Sequence, residues 1–325
     1  MAVYTPIDQE DMTSFIQQFN HNRLLSYSGI QGGVENTNYR LSTSQGDYVL
    51  TLFEHHCAAE VEDFVRLATF LQRQGIRVPA PLTDSDGNWL HTIKDRPAIL
   101  CPLLPGHHPQ QISANHCWQI GHKLASIHQL SGELDNPRKN DKGFNWWQSA
   151  YTSLSANLNS SSYSLMSKEM AWQLNHRDVW RSLPGGWIHG DLFRDNTLFS
   201  AAEPGKPEQL SALLDWYNAC EGVWIYDLAI VANDWCCDEY GEWDNACYEA
   251  LLSGYQQVRP FTSLERYHWP LVLRGAALRF WLSRLDTLQH QQQSGSDGIR
   301  KDPDEYRRKL VARQKALSPE LTVNY

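Results

Sequence analysis

One block constrains this chain more than any other: an island of β-type sequence inside a stretch that otherwise reads as helix. It runs Trp187-Ile188-His189-Gly190-Asp191-Leu192-Phe193-Arg194-Asp195-Asn196-Thr197-Leu198-Phe199, passes a Pro/Gly-rich turn at 203–207, and closes on Leu213-Leu214-Asp215-Trp216-Tyr217. The order is apolar strand, an H-x-D loop with an asparagine five residues after the aspartate, apolar strand, turn, and a third apolar run ending on an acid. On either side apolar residues recur at helical spacing over 113–130, 145–158, 166–182, 223–238, 242–257 and 265–292. The serine-rich segment 153–164 reads as a loop or a helix edge.

The first hundred residues have a different rhythm. Residues 7–22 carry Ile7, Met12, Phe15, Ile16 and Phe19 at helical spacing behind a cap at Asp8. Leu25–Gly29, Thr37–Leu41 and Asp47–Phe53 read as strands, with glycines at 32, 33 and 46 between them. Residues 59–74 form the main helix of this part, closed by Gly75, and two short strands near 88–94 and 97–101 flank the turn Asp84-Ser85-Asp86-Gly87. Composition shifts at Leu103-Leu104-Pro105-Gly106. The expected architecture is α+β, a small β-rich lobe over 1–103 followed by a larger, mostly helical lobe over 104–325.

Composition excludes several classes of protein. The chain has 325 residues, of which 28 are basic and 37 acidic, a net charge of −9. That balance argues against a nucleic-acid partner, and no polybasic run suggests a membrane-surface role. The opening Met1–Asp8 has neither the basic nor the apolar region of a secretory signal. Seven cysteines without a C-x-x-C pair fit reduced thiols and a cytoplasmic setting. The 13 tryptophans read first as core and groove lining.

The chemistry that suits the island is phosphoryl transfer from ATP. That reaction needs a carboxylate beside the acceptor hydroxyl and oxygen ligands for Mg²⁺ against the triphosphate. Asp191 fits the first role, and Asn196 with Asp215 the second. Aspartate and asparagine are also ordinary turn formers, and a lone H-x-D would leave the two readings even. The combination of loop, asparagine, paired strands and closing acid is far more specific. His189 reads as a catalytic-loop residue that orients its neighbours. Cysteine and histidine at zinc-ligand spacing are not found beside it.

At these residues the chain resembles the aminoglycoside-phosphotransferase-like kinases, cousins of the protein kinases that carry H-G-D in place of H-R-D. Blocks scattered over the whole length resemble, more narrowly, the homoserine kinases of that superfamily. They are Met1–Tyr4, Gly32–Tyr39, Tyr48–Glu54, His189–Phe193, Tyr226–Ala229, Arg274–Arg284 and Lys301–Tyr306. The resemblance implies a protein-kinase-like two-lobed fold and transfer of the ATP γ-phosphate to the side-chain hydroxyl of L-homoserine, on the route to threonine. Gly32 and Gly33, with Asn36 and Asn38, would then form the lid over the phosphates. Pro97–Leu103, including Cys101 and Leu103, would be the hinge whose backbone holds adenine. Asp227 would buttress the catalytic loop. Arg279 or Arg284 would meet a substrate carboxylate, and Asp234 and Trp235 would line the acceptor pocket.

One departure stands out. Kinases of this kind carry a lysine on the third strand, where this chain has Thr51, and its first lysine is Lys94. Charge neutralisation is then left to Mg²⁺, Arg40 or backbone donors. The same fold acting on choline, an aminoglycoside, methylthioribose or a sugar is the enzymatic alternative. A nucleotide-binding pseudokinase is the non-catalytic one. The sequence sets no oligomeric state.

Overall fold

The computed structural model describes residues 3–20, 22–30, 36–200, 206–294, 301–315 and 321. The chain divides into two compact units, one comprising Met1–Pro105 with Ala212–Tyr217, the other Gly106–Ser211 with Asn218–Gly295 and the C-terminal residues. No helix among the described residues is long and apolar enough to cross a membrane, and all seven cysteines are free thiols.

The first unit is a five-stranded antiparallel sheet between two helices. Its strands are β1 (Leu24–Gly29), β2 (Thr37–Thr43), β3 (Gly46–Leu52), β4 (His91–Ile93) and β5 (Arg96–Pro102), in the order β1-β2-β3-β5-β4. Helix α1 (Gln9–Gln17) starts where the Asp8 carboxylate accepts the Asp11 N–H at 2.9 Å. It is shorter than the 7–22 expected, because the chain turns into left-handed backbone at Asn20 (φ 50°). Strand alternation sorts the core. Leu50, Leu52 and Leu100 pack with Met12, Phe15 and Ile16 of α1. Ile99 and Cys101 turn the other way, against Val61, Phe64 and Val65 of α2 (Ala58–Arg73).

The second unit contains α3 (Ala114–Ser131), α4 (Phe144–Ser155), α5 (Ser160–Asn175) and α6 (Arg177–Ser182). After them come β6 (Gly185–Ile188), β7 (Thr197–Phe199), β8 (Leu210–Leu213), whose last two residues belong to the first unit, and β9 (Cys220–Val223). The unit ends with α7 (Trp224–Trp235), α8 (Asn245–Val258), α9 (Ser263–Ser294) and α10 (Pro303–Lys315). The single helix expected over 166–182 is two, broken at His176 (φ −103°, ψ 15°), and α5 begins inside the serine-rich segment because Asn159 caps it. Helix α10 was not expected as an element. The β island is two two-stranded sheets, β6 antiparallel to β9 and β7 beside β8. Ile188 pairs with Cys220, so His189 leaves the end of a paired strand.

Helices α3 and α8 approach backbone to backbone. A Cβ on Gly121 would lie 2.2 Å from the Leu251 carbonyl oxygen, and one on Gly254 would lie 2.1 Å from that of Trp118. The close approach brings His128 of α3 and Tyr255 of α8 into a 2.8 Å hydrogen bond. Overpacking such a seam costs about 1–3 kcal/mol. Gly254→Ala is therefore expected to lower the melting temperature by roughly 5 °C or more in a thermal scan; an unchanged melt would contradict the contact.

Candidate active site

The H-G-D loop is shaped by its backbone. Gly190 adopts φ +77°, and a Cβ there would come within 2.9 Å of the Asn218 carbonyl oxygen, so only glycine fits the turn. The next residue, Asp191, is half-buried at its apex. Its N–H donates to His189 Nδ1 at 3.3 Å, and its carbonyl accepts from Phe193 N–H at 2.8 Å and from Asn196 Nδ2 at 2.8 Å. His189 is fully buried, so it acts by holding the loop.

Asp227, fully buried on α7, grips the loop from beneath. Its carboxylate accepts the His189 N–H at 2.7 Å, the Gly190 N–H at 2.9 Å and a bond from His128 Nε2 at 3.2 Å. The relay continues from His128 Nδ1 to the Tyr255 hydroxyl, which accepts from Arg259 NH1 at 3.3 Å, and Arg259 NH2 pairs with Glu265 at 2.8 Å. Burial pushes the Asp227 carboxyl up, but the hydrogen bond and charge of His128 outweigh it and hold the group below its usual range. His128 is held below its ordinary value by burial, against the pull of Asp227.

A second grip lies one heptad on. Asp234 stands seven residues after Asp227, two turns along the same face of α7. It accepts the Arg194 N–H at 2.9 Å and pairs with the Arg194 guanidinium at 3.3 Å. Trp235, buried, donates its indole N–H to the Leu192 carbonyl at 3.3 Å. Asp234 and Trp235, expected at the acceptor pocket, are thus occupied in fixing the catalytic loop. Lys301, just ahead of α10, pairs with Asp195 at 3.0 Å and lies 5.2 Å from the Phe193 ring centre.

Three arginines of α9 meet different fates. Arg274 is bound by the fully buried Glu169 at 3.1 Å, and Arg284 is taken by Glu305 at 2.6 Å and the Asp302 carbonyl at 2.8 Å. Arg279 is 6% exposed and lies over the Phe280 ring at 4.0 Å.

In the first unit, Thr51 is buried, donates to Asn38 Oδ1 at 2.7 Å and accepts from the Tyr217 hydroxyl at 3.4 Å. Asn36 is buried with Oδ1 unpaired among the described residues. Cys101 is buried in β5, its thiol pushed up to about 12 by burial. The Leu103 N–H is taken by the Asp47 carbonyl at 2.9 Å, which leaves its carbonyl for any ligand. Arg40 pairs with Asp47 at 3.1 Å on the exposed side of the sheet. Gly32 and Gly33 lie outside the described residues. Asp215 adopts left-handed backbone, φ 55°, a conformation aspartate tolerates better than most residues.

Asn196 commits its Nδ2 to the Asp191 carbonyl and keeps its amide oxygen, an atom of the kind a hard cation takes. Among the described residues no three His, Cys, Asp or Glu side chains cluster to hold a metal alone. Mg²⁺ as a rule takes only a few protein oxygens and fills its remaining positions with water and phosphates.

Residues 26–261 match the phosphotransferase enzyme family. The chain belongs to that family. Two curated members are homoserine kinases that it resembles along nearly its whole length. The protein from Pseudomonas aeruginosa (strain LESB58) is 37% identical, over 97% of each chain. The one from Janthinobacterium sp. (strain Marseille) is 34% identical, over 99% of this chain and 98% of that one. Among solved structures, an amicoumacin kinase in complex with AMP-PNP, Ca²⁺ and Ami superposes with a TM-score of 0.69 at 12% identity, over 95% of this chain and 92% of that one. A microcompartment-associated aminopropanol kinase gives 0.66 at 17% identity, over 94% of both. These likenesses establish the kinase-like α+β fold.

Sequence reasoning missed His128, Tyr255 and Arg194, which support the loop through contacts 40 to 127 residues distant in chain. The buried His128–Asp227 pair sets a pH response with a definite sign. Below about 6.5 the unfolded chain takes up the proton that folded His128 refuses, so stability falls as pH drops from 7 to 5. The Asp227 contribution is present above 3.8 and is lost only as pH falls through its lowered folded value. Urea midpoints at pH 7 and 5 should fall less for His128→Gln than for the wild type; equal slopes would place the His128 titration elsewhere.

Proposed function

We propose that this phosphotransferase transfers the γ-phosphoryl group of ATP to the side-chain hydroxyl of L-homoserine, giving ADP, O-phospho-L-homoserine and a proton, a step toward threonine. The acceptor rests on the near-complete alignment with homoserine kinases at 37% identity. The chemistry rests on the fixed H-G-D turn that presents Asp191.

In this reading the acceptor oxygen attacks the γ-phosphorus in line, the bond to the β,γ-bridging oxygen breaks, and Asp191 takes the hydroxyl proton late in the transition state. Buried donors to Asp227 and the Arg194 contacts with Asp234 hold the loop backbone that carries this carboxylate, so part of its orientation is supplied before substrate arrives. Asn196 and Asp215 are the oxygen ligands assigned to Mg²⁺, which when bound offsets charge on the phosphates. Thr51 replaces the strand lysine with a neutral hydroxyl that is already hydrogen-bonded.

Asp191→Asn is expected to lower kcat for ADP release with L-homoserine by about 100-fold or more while nucleotide still binds. Near-normal turnover would remove Asp191 as the base. Asp215→Ala is expected to abolish Mg²⁺-dependent nucleotide binding in calorimetry, and unchanged binding would remove its metal role. Turnover with choline or a sugar, and none with L-homoserine, would keep the fold and overturn the acceptor.

A further inference from the structure

Arg279 breaks the pattern set by the other buried arginines of its unit. Arg259 has Glu265, and Arg313 has Asn233 Oδ1 and the Gly241 carbonyl; half-buried Arg274 has Glu169. Arg279 is more than nine-tenths buried and has no hydrogen-bond or ion-pair partner among the described residues; its one contact of this kind is the Phe280 face at 4.0 Å. Burying a guanidinium without a counter-charge is costly. The group is not sealed in, however. Arg313 NH2 and the Tyr306 hydroxyl are enclosed unpaired atoms, while no nitrogen of Arg279 is. Its donors therefore keep an opening.

That opening is near the catalytic turn. Phe280 stands edge-on to Phe193, with 4.7 Å between ring centres, and Phe193 closes the Asp191 turn with its own N–H. Tyr226 on α7 is 5% exposed, feels the charges of both Arg279 and Asp191, and its hydroxyl has no hydrogen-bond partner among the described residues. A cation with a planar donor fork, two rings away from the Asp191 turn, and a phenol that feels both charges form a receptor for a small anion. A carboxylate fits such a fork with two parallel hydrogen bonds.

We propose that Arg279, with the Tyr226 hydroxyl beside it, binds the α-carboxylate of the amino-acid acceptor and makes this phosphotransferase select acceptors that carry one. The proposal rests on the acceptor reading above. A neutral alcohol leaves the guanidinium unpaired, so the site rejects it as well as favouring the acid.

The test is steady-state turnover with L-homoserine and with L-homoserine amide, which replaces the carboxylate by a neutral group. The wild type should prefer L-homoserine by on the order of 100-fold in kcat/KM. Arg279→Met should raise KM for L-homoserine by a similar factor and erase that preference. KM for ATP should stay unchanged and the melting temperature should not fall, because an unpaired buried charge has gone. A KM for L-homoserine within twofold of wild type, or equal use of the amide by the wild type, overturns the carboxylate site. If the methionine variant does not fold, Arg279→Gln decides by the same KM criterion. Turnover of L-homoserine that ignores Arg279 leaves the acceptor reading standing, whereas wild-type silence on L-homoserine overturns both.

Discussion

A single buried carboxylate sets the geometry of the catalytic loop. Asp227 has no exposure, and it keeps its charge because two backbone N–H groups and His128 donate to it. In a low-dielectric interior each of those donors is worth more than in water, and losing any one leaves the charge undercompensated. The loop is thus tied to α7 by an interaction that tolerates little displacement. The same demand reaches outward. His128 must hold one ring nitrogen toward Asp227 and the other toward Tyr255, which requires α3 and α8 to meet at the spacing that Gly121 and Gly254 permit. A packing detail far from the chemistry thereby fixes the direction in which Asp191 points.

Helix α7 works as the platform for the whole loop. Asp227 takes the loop at its start, Asp234 takes it at Arg194, and Trp235 takes the Leu192 carbonyl in between. Backbone hydrogen bonds at His189, Gly190 and Arg194 anchor the loop on both sides of Asp191. Preorganisation of this kind contributes to rate because no reordering is needed when the acceptor binds. Against this background Arg279 and Tyr226 stand out, since the buried guanidiniums of Arg259 and Arg313 each have hydrogen-bond acceptors.

Local pattern made much of this legible in the sequence. Strand alternation and helix period located the sheet and most helices, the H-G-D spacing put Asp191 and Asn196 in one loop, and the family resemblance implied that Asp227 supports it, where its hydrogen bonds to His189 and Gly190 lie. What stayed hidden depends on partners remote in the chain. Nothing near His128 in sequence announces a contact with Asp227, 99 residues away. Asp234 and Trp235 looked like pocket residues because they follow Asp227 on one helix face, yet that face is turned to the loop backbone. Arg279 and Arg284 are indistinguishable by type, and only the position of Glu305 on α10 separates them. Helix α10 itself had a readable signal: Pro303 at its first turn with Asp304 and Glu305, and Arg313 and Lys315 in its last.

The exchange of the strand lysine for Thr51 can be followed in the hydrogen bonds around it. Thr51 is 2% exposed, gives its hydroxyl proton to Asn38 and receives one from Tyr217, whose phenol is held protonated by burial. Both capacities of the hydroxyl are therefore spent on neutral groups, and the position has no donor left for a phosphate. Asn38, engaged through its oxygen, keeps only an amide nitrogen that reaches the Asn36 carbonyl at 3.4 Å, a contact long enough to yield to a better acceptor. Thr51 thus closes a neutral, satisfied pocket and does not stand in for the missing cation. In the proposed reading an anionic nucleotide therefore finds its compensation in a divalent ion and in backbone donors, because position 51 supplies neither a charge nor a spare donor.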